Sequence, residues 1–143
     1  AAERVLRAAA DEGVLDWLGF LPSAQAIRRL DGALAGLCLL HDEANFRPSM
    51  ATKVVEYLAR GVPAVVTPLP VQRDLVHRSG GGVVVPFGST VEVVDVLTAW
   101  SAEPERSREL GRRGHAYVAE HHDWARLKGN FVAALDQVAR TAR

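Results

Sequence analysis

The apolar residues of this chain fall into short runs that are separated by turn residues and amphipathic stretches. The run at residues 33–40 has no polar alternation, and it leads through a polar loop into an amphipathic helix predicted for residues 49–60. Gly61 ends that helix, and Pro63 precedes a second apolar run at residues 64–67. A strand, a polar loop, a helix and a strand in this order are typical of a parallel α/β unit.

Turn and capping residues predict the other elements. Gly13 is a helix-ending glycine, Ser23 and Asp123 are N-cap residues, and Ser89 with Glu92 forms a capping box. The predicted strands cover residues 14–20, 33–40, 64–67 and 83–86. The predicted helices cover residues 3–12, 24–30, 49–60, 71–78, 89–100 and 103–121, and a last helix begins at Trp124. This order predicts one α/β domain with a parallel sheet, in which the run at residues 33–40 is covered on both faces.

Composition excludes several classes of protein. The 143 residues contain 17 basic and 17 acidic side chains, so we expect neither a nucleic-acid partner nor an anionic membrane surface. The single cysteine, Cys38, lies in an apolar run, which predicts a reduced, buried thiol in a cytoplasmic protein. No apolar run approaches the roughly 20 residues that span a bilayer. The five histidines show no metal-binding spacing, so we expect no metal and no cofactor.

Candidate chemistry lies where the predicted strands end, because ligands of parallel sheets bind at the carboxyl ends of strands, against helix N-termini. Thr52 and Lys53 lie in a first helical turn, where free N–H groups favour phosphate, although a solvated lysine fits equally well. Glu56 faces away from the apolar stripe and could accept two sugar hydroxyls. Alternatively, it is a surface ion pair with Lys53 or Arg60.

The loop before this helix adds further candidates. Arg47 could bind a phosphate or a carboxylate through two hydrogen bonds, or it could be an ordinary loop arginine. Asn45 and Ser49 flank it. His41 lies at the same strand end, where a lone histidine is more often structural or solvated.

The segment SMATKVVEYLARGVPAVVTPLP, residues 49–70, resembles the donor-binding half of retaining glycosyltransferases of family 4, which have the GT-B fold. The resemblance extends upstream to VLDWLGFLP and downstream through RDLVHRSGGGVVVPFGSTVEVVDVL to GRRGHAYVAEHHDWARL, so it covers nearly the whole chain. It implies a Rossmann-like parallel sheet with flanking helices, which is part of the C-terminal half of a GT-B fold.

The resemblance also implies a function. The chain would supply the donor-binding half of an enzyme that transfers a hexose, without metal, from a nucleoside-diphosphate sugar to an unknown acceptor. Glu56 would bind the ribose hydroxyls, Thr52 and Lys53 would lie against the diphosphate, and Phe20 and Leu21 would border the base. The implied substrate-binding set is completed by Ser49, Asn45 and Arg47. No catalytic residue is identified.

The sequence departs from the family pattern at two places. Pro48 stands where the family often has a second glutamate, so Asn45 or Arg47 would take over part of its role. The family's first β-α-β segment and its N-terminal acceptor domain precede the part represented by residues 1–143. We therefore expect a truncated domain that is inactive alone and could self-associate through exposed sheet edges.

Two alternatives to transfer stay open: a non-catalytic α/β interaction domain and a GT-B sugar-nucleotide epimerase. The expected location is the cytoplasm. For the full-length enzyme, peripheral attachment to the inner membrane face is left open.

Overall fold

The computed structural model describes residues 2–141, which form three strands and seven helices. The strands are β1 (Gly36–Cys38), β2 (Ala64–Val66) and β3 (Gly82–Val84). The helices are α1 (Ala2–Asp11), α2 (Ser23–Arg28), α3 (Thr52–Ala59), α4 (Pro70–Ser79), α5 (Thr90–Ala102), α6 (Pro104–His121) and α7 (Trp124–Thr141). None of these helices is both long and apolar enough to cross a bilayer.

The three strands form a parallel sheet in the order β1-β2-β3, with Leu37, Val65 and Val83 side by side. Helix α3 connects β1 to β2, and α4 connects β2 to β3, as parallel pairing requires. The α/β class with a Rossmann-like parallel sheet and flanking helices is therefore confirmed.

Each face of the sheet has its own hydrophobic core. One core, under α3, α4 and the second half of α6, consists of Cys38, Val54, Leu58, Ala64, Val66, Leu75, Val76 and Val118. The other core, under α5, consists of Val65, Val85, Val93 and Trp100. Successive strand residues point to opposite faces, which is why neighbours such as Val65 and Val66 belong to different cores.

Helix α6 packs against the domain through two glycines. A Cβ atom on Gly111 would lie 1.9 Å from the carbonyl oxygen of Gly61. A Cβ atom on Gly114 would lie 2.6 Å from Leu58 and 3.2 Å from Gly81. The glycines therefore let the helix backbone approach the loops that enter β2 and β3.

The strand predicted for residues 14–20 is wrong. The N–H groups of Val14 and Leu15 donate to the carbonyl of Ala9, at 3.0 and 3.2 Å, so the chain folds back on the end of α1. Residues 14–20 pair with no strand in the described part of the chain. Hydrophobic residues alone do not make a strand, because its backbone groups need a neighbouring ladder.

The prediction that β1 is covered on both faces is also wrong. Leu37 is 39% exposed, whereas Gly36 and Cys38 on the other face are buried. Helix α5 packs over β2 and β3 through Val93 and Trp100, and the described residues cover the same face of β1 only in part. On the α3 side, the Tyr57 hydroxyl donates to the carbonyl oxygen of Leu37 at 3.1 Å.

The predicted caps had different outcomes. Asp123 is confirmed, since its Oδ1 accepts a hydrogen bond from the N–H of Ala125 at 2.9 Å. Ser89 is the N-cap residue of α5, but its side chain makes no capping hydrogen bond. Ser23 is not a cap: α2 starts one residue earlier than predicted, because the carbonyl of Pro22 already accepts the first helical hydrogen bonds.

Candidate functional site

The carboxyl ends of the three strands lie at one edge of the sheet, and α3, α4 and α5 all begin there. The strand ends are followed by a long loop at residues 39–51 and by two shorter ones, at residues 67–69 and 85–89. Such an edge collects free helix N–H groups and the positive ends of helix dipoles. The ligand-binding residues predicted from the sequence are therefore expected at this edge.

The long loop is held by its own hydrogen bonds. The Arg47 guanidinium donates to both carboxylate oxygens of Asp42, at 2.8 and 2.9 Å, and the Ser49 hydroxyl donates to the carbonyl of Asn45 at 2.7 Å. The hydrogen bond from Arg47 lowers the pKa of Asp42, and the same contact raises the pKa of Arg47. Arg47 therefore already has a carboxylate partner and retains only part of its fork for a ligand.

Helix α3 begins beside this loop with Thr52 and Lys53, both exposed. Its N-cap residue, Ala51, makes no side-chain capping bond, so the first turn has no protein side chain as a cap. Lys53 lies close enough to the end of β1 to act on the thiol of Cys38. Burial raises the pKa of that thiol, and the positive charge of Lys53 partly opposes the increase. Lys53 therefore places its charge at the carboxyl edge.

Glu56 lies one turn further along α3 and is half-buried. No hydrogen bond or ion pair reaches its carboxylate from the residues that the structure describes, and neither of the surface pairs considered above forms. Arg60 instead forms two hydrogen bonds to Asp31, one of them 2.8 Å long from Nε. The Glu56 charge also contributes, after burial and Cys38, to the raised pKa of Tyr57. The Glu56 carboxylate thus has no partner among the described residues.

Phe20 and Leu21, which are predicted to border a base, lie in the segment between α1 and α2. Phe20 is 96% exposed and Leu21 is half-buried. The helices on either side, α1 and α2, contribute no buried side chain from residue 3 onward. The structure brings Asn45, Arg47, Ser49, Thr52 and Lys53 to one edge, but it leaves the Phe20 ring without protein neighbours that would orient it.

A second feature of this edge was not predicted. A cavity of about 210 Å³ lies beside the start of α5 and is lined by Leu39, His41, Thr67, Pro86, Gly88, Ser89, Thr90 and Val93. It belongs to the α5 face of the sheet, whereas α3 covers the opposite face. Of the residues considered in the sequence, His41 and the predicted N-cap residue Ser89 line it, and the predicted sugar-nucleotide residues do not.

Sequence reasoning also missed two buried polar side chains, Thr67 and Gln72, which are 3% and 1% exposed. A signal was present for Gln72, since it precedes Leu75 and Val76 by three and four residues. It therefore falls on the apolar stripe of a helix, where a polar residue is unusual. Among residues 2–141, no group of three or more histidine, cysteine or acidic side chains is arranged to hold a metal ion.

Comparison with known proteins identifies the family. The family model described as "Glycosyl transferase-like" matches residues 4–132, a span that includes all three strands and the carboxyl edge. The chain belongs to this glycosyl transferase-like family. No curated protein and no solved structure matches the chain. Family membership indicates a glycosyltransferase domain, with a sugar donor and an acceptor as its substrates in general terms.

Proposed function

We propose that this chain supplies the donor-binding half of a retaining, family-4-like glycosyltransferase that transfers a hexose from a nucleoside-diphosphate sugar to an acceptor. The observation that carries the proposal is the combination of Lys53 and Glu56 on α3. Both lie in the first two turns of α3, by the carboxyl edge, and neither forms an ion pair within the described residues.

The helix start suits the diphosphate. The first-turn N–H groups of α3 and the positive end of its dipole favour phosphate, and Thr52 adds a hydroxyl donor. Lys53 adds a full positive charge where the negative charge of the leaving diphosphate develops during transfer. The remaining donors of Arg47 lie on the neighbouring loop. These groups can compensate the charge without a metal ion.

Glu56 suits the ribose. A carboxylate offers two acceptor oxygens with the spacing of neighbouring hydroxyls, and half-burial strengthens its hydrogen bonds relative to those in open water. The diphosphate would contact the first turn of α3 and the ribose its second turn, so one helix would bind both parts of the nucleotide. A further β-α-β segment would pair with the open edge of β1 and complete the donor site.

Isothermal titration of UDP and GDP into the full-length protein tests this proposal. The affinity for each nucleotide is measured for the wild type and for the variants Glu56→Gln and Lys53→Gln. Loss of one hydrogen bond to a charged group should weaken binding of the favoured nucleotide about tenfold or more. Two matched controls are Glu103→Gln, at the opposite end of the sheet, and Lys128→Gln on α7, which should change the affinity less than about twofold.

Absence of nucleotide binding by the wild type, or equal losses in controls and site variants, would overturn the donor site. Product analysis with the favoured nucleoside-diphosphate sugar then identifies the reaction. Glycosylated acceptor with retained anomeric configuration supports the proposal, whereas an isomerised sugar nucleotide without transfer identifies an epimerase.

A further inference from the structure

A chain of buried hydrogen bonds joins β1, the end of β2 and the first turn of α4. The thiol of Cys38 donates to Oε1 of Gln72 at 3.2 Å. The amide nitrogen of Gln72 donates to the carbonyl and the hydroxyl of Thr67, at 3.1 and 3.2 Å. The hydroxyl of Thr67 in turn donates to the carbonyl of Leu40 at 2.7 Å. Every member of this chain therefore has a partner.

Core packing alone does not require a glutamine at this position. Gln72 lies next to a hydrophobic core, and burying an amide is costly unless its hydrogen bonds are all formed. A methionine or leucine would fill a similar volume without that cost. What an apolar side chain would not provide is a fixed distance between α4, Thr67 and the end of β1. Buried polar networks that are fully satisfied hold their members in one arrangement.

The network ends where the long loop begins. Leu40, the second residue of that loop, is the last residue that the network contacts, and the rest of the loop carries Asn45, Arg47 and Ser49. That loop is held together by its own hydrogen bonds, from Arg47 to Asp42 and from Ser49 to the carbonyl of Asn45. Its second anchor is α3, whose buried residues Val54 and Leu58 fix it in the core. The hydrogen bond from Thr67 to Leu40 therefore holds one end of the loop, and the buried residues of α3 hold the other.

We propose that Gln72 is a positioning residue that acts through Thr67 to place the loop at residues 41–49 against the start of α3. It touches no substrate in this role. The inference rests on the proposed function in one respect, which is that the positioned groups Arg47 and Lys53 bind the same donor diphosphate. The placement of the loop itself is independent of what the loop binds.

Two substitutions at Thr67 give a matched test in the full-length protein. Thr67→Val keeps the shape and removes the hydroxyl, whereas Thr67→Ser keeps the hydroxyl and removes a methyl group. Gln72→Met removes the amide and is a second, independent break of the same network. The measurements are hydrogen–deuterium exchange of the peptide covering residues 41–49, the affinity for UDP and GDP, and the midpoint of thermal unfolding.

We expect Thr67→Val and Gln72→Met to speed exchange in residues 41–49 and to weaken nucleotide binding about three- to tenfold. Thr67→Ser should stay within about twofold of the wild type in both measurements, even if its unfolding midpoint falls. Unchanged loop exchange and affinity in folded Thr67→Val and Gln72→Met would show a purely structural role and overturn the proposal. If the wild type binds neither nucleotide, the proposed function fails, and loop exchange alone still decides whether Gln72 positions the loop.

Discussion

Replacing Gly111 by alanine sets helix propensity against tertiary packing within a single residue. Gly111 is buried in the middle of α6. In an isolated helix, the change from glycine to alanine is favourable by about 0.8–1 kcal/mol. In this domain the new methyl carbon would lie 1.9 Å from the carbonyl oxygen of Gly61, whereas ordinary contacts begin near 3.4 Å. The atom that it meets belongs to the backbone, so no side chain can rotate away.

The helix would have to move away by roughly 1.5 Å to relieve this overlap. Such a shift would break the 2.9 Å hydrogen bond from Ser107 to the carbonyl of Leu34 and would loosen Val118 in the core. Overpacking of this kind typically costs about 1–3 kcal/mol, and the lost hydrogen bond about 1 kcal/mol more. After subtraction of the propensity gain, we expect Gly111→Ala to lower the free energy of unfolding by about 1–3 kcal/mol.

Urea denaturation followed by circular dichroism at the helical band measures this change. The control is Gly129→Ala on α7, where an added Cβ would meet nothing within 4 Å. That substitution should be neutral or stabilising by up to about 1 kcal/mol, because only the propensity term remains. If Gly111→Ala is as stable as the wild type or more so, with the same sign as Gly129→Ala, the close approach of α6 described above is refuted.

Three further predictions follow from buried and charged contacts. Leu58→Ala should lower the free energy of unfolding by about 2–5 kcal/mol in urea titrations, because the side chain is fully buried, and a loss below about 1 kcal/mol would contradict that burial. Gly36→Ala would place a methyl carbon 2.2 Å from the Tyr57 ring, so the ring should leave its half-buried position. Its pKa, which burial now raises, should fall toward the ordinary value of 10.0 in an ultraviolet pH titration, and an unchanged pKa would count against this packing. The hydrogen bond from Arg47 lowers the pKa of Asp42 in the folded protein. The stability that this pair contributes is therefore complete at pH values above the ordinary pKa of 3.8, and it is lost as the pH falls through the lower pKa of the folded state. Arg47→Gln should move the midpoint of the Asp42 carboxyl shift, followed by NMR, back up toward that ordinary value.

The elements with a strong local signal were predicted well. The runs at residues 64–67 and 83–86 correspond to β2 (Ala64–Val66) and β3 (Gly82–Val84), and the helices between and after them lie within three residues of their predicted bounds. These elements are marked by glycine and proline at their ends and by a clear period of 3.6 between them. Both signals depend only on neighbouring residues, so they can be interpreted without knowledge of the fold.

The strand prediction at residues 14–20 failed because a strand depends on residues far away in the chain, not only on its neighbours. The segment VLDWLGF contains enough apolar and aromatic residues for a strand, but a strand also needs a partner, and no strand of the described chain pairs with it. The half-exposed Leu37 is a similar case, because its environment depends on which elements pack over β1. Packing partners come from distant parts of the chain and leave no mark on the local pattern.

Local pattern determined the parallel α/β arrangement and the position of Thr52, Lys53 and Glu56 on one helix, because spacing along a helix fixes which side chains share a face. Tertiary structure alone decided that the carboxylate of Glu56 is unpaired within the described residues while Arg60 bonds Asp31. It also decided that Cys38 and Gln72, 34 residues apart, meet in one buried network. The physical reason is that hydrogen bonds and ion pairs form between side chains that are close in space, and only the folded chain sets those distances.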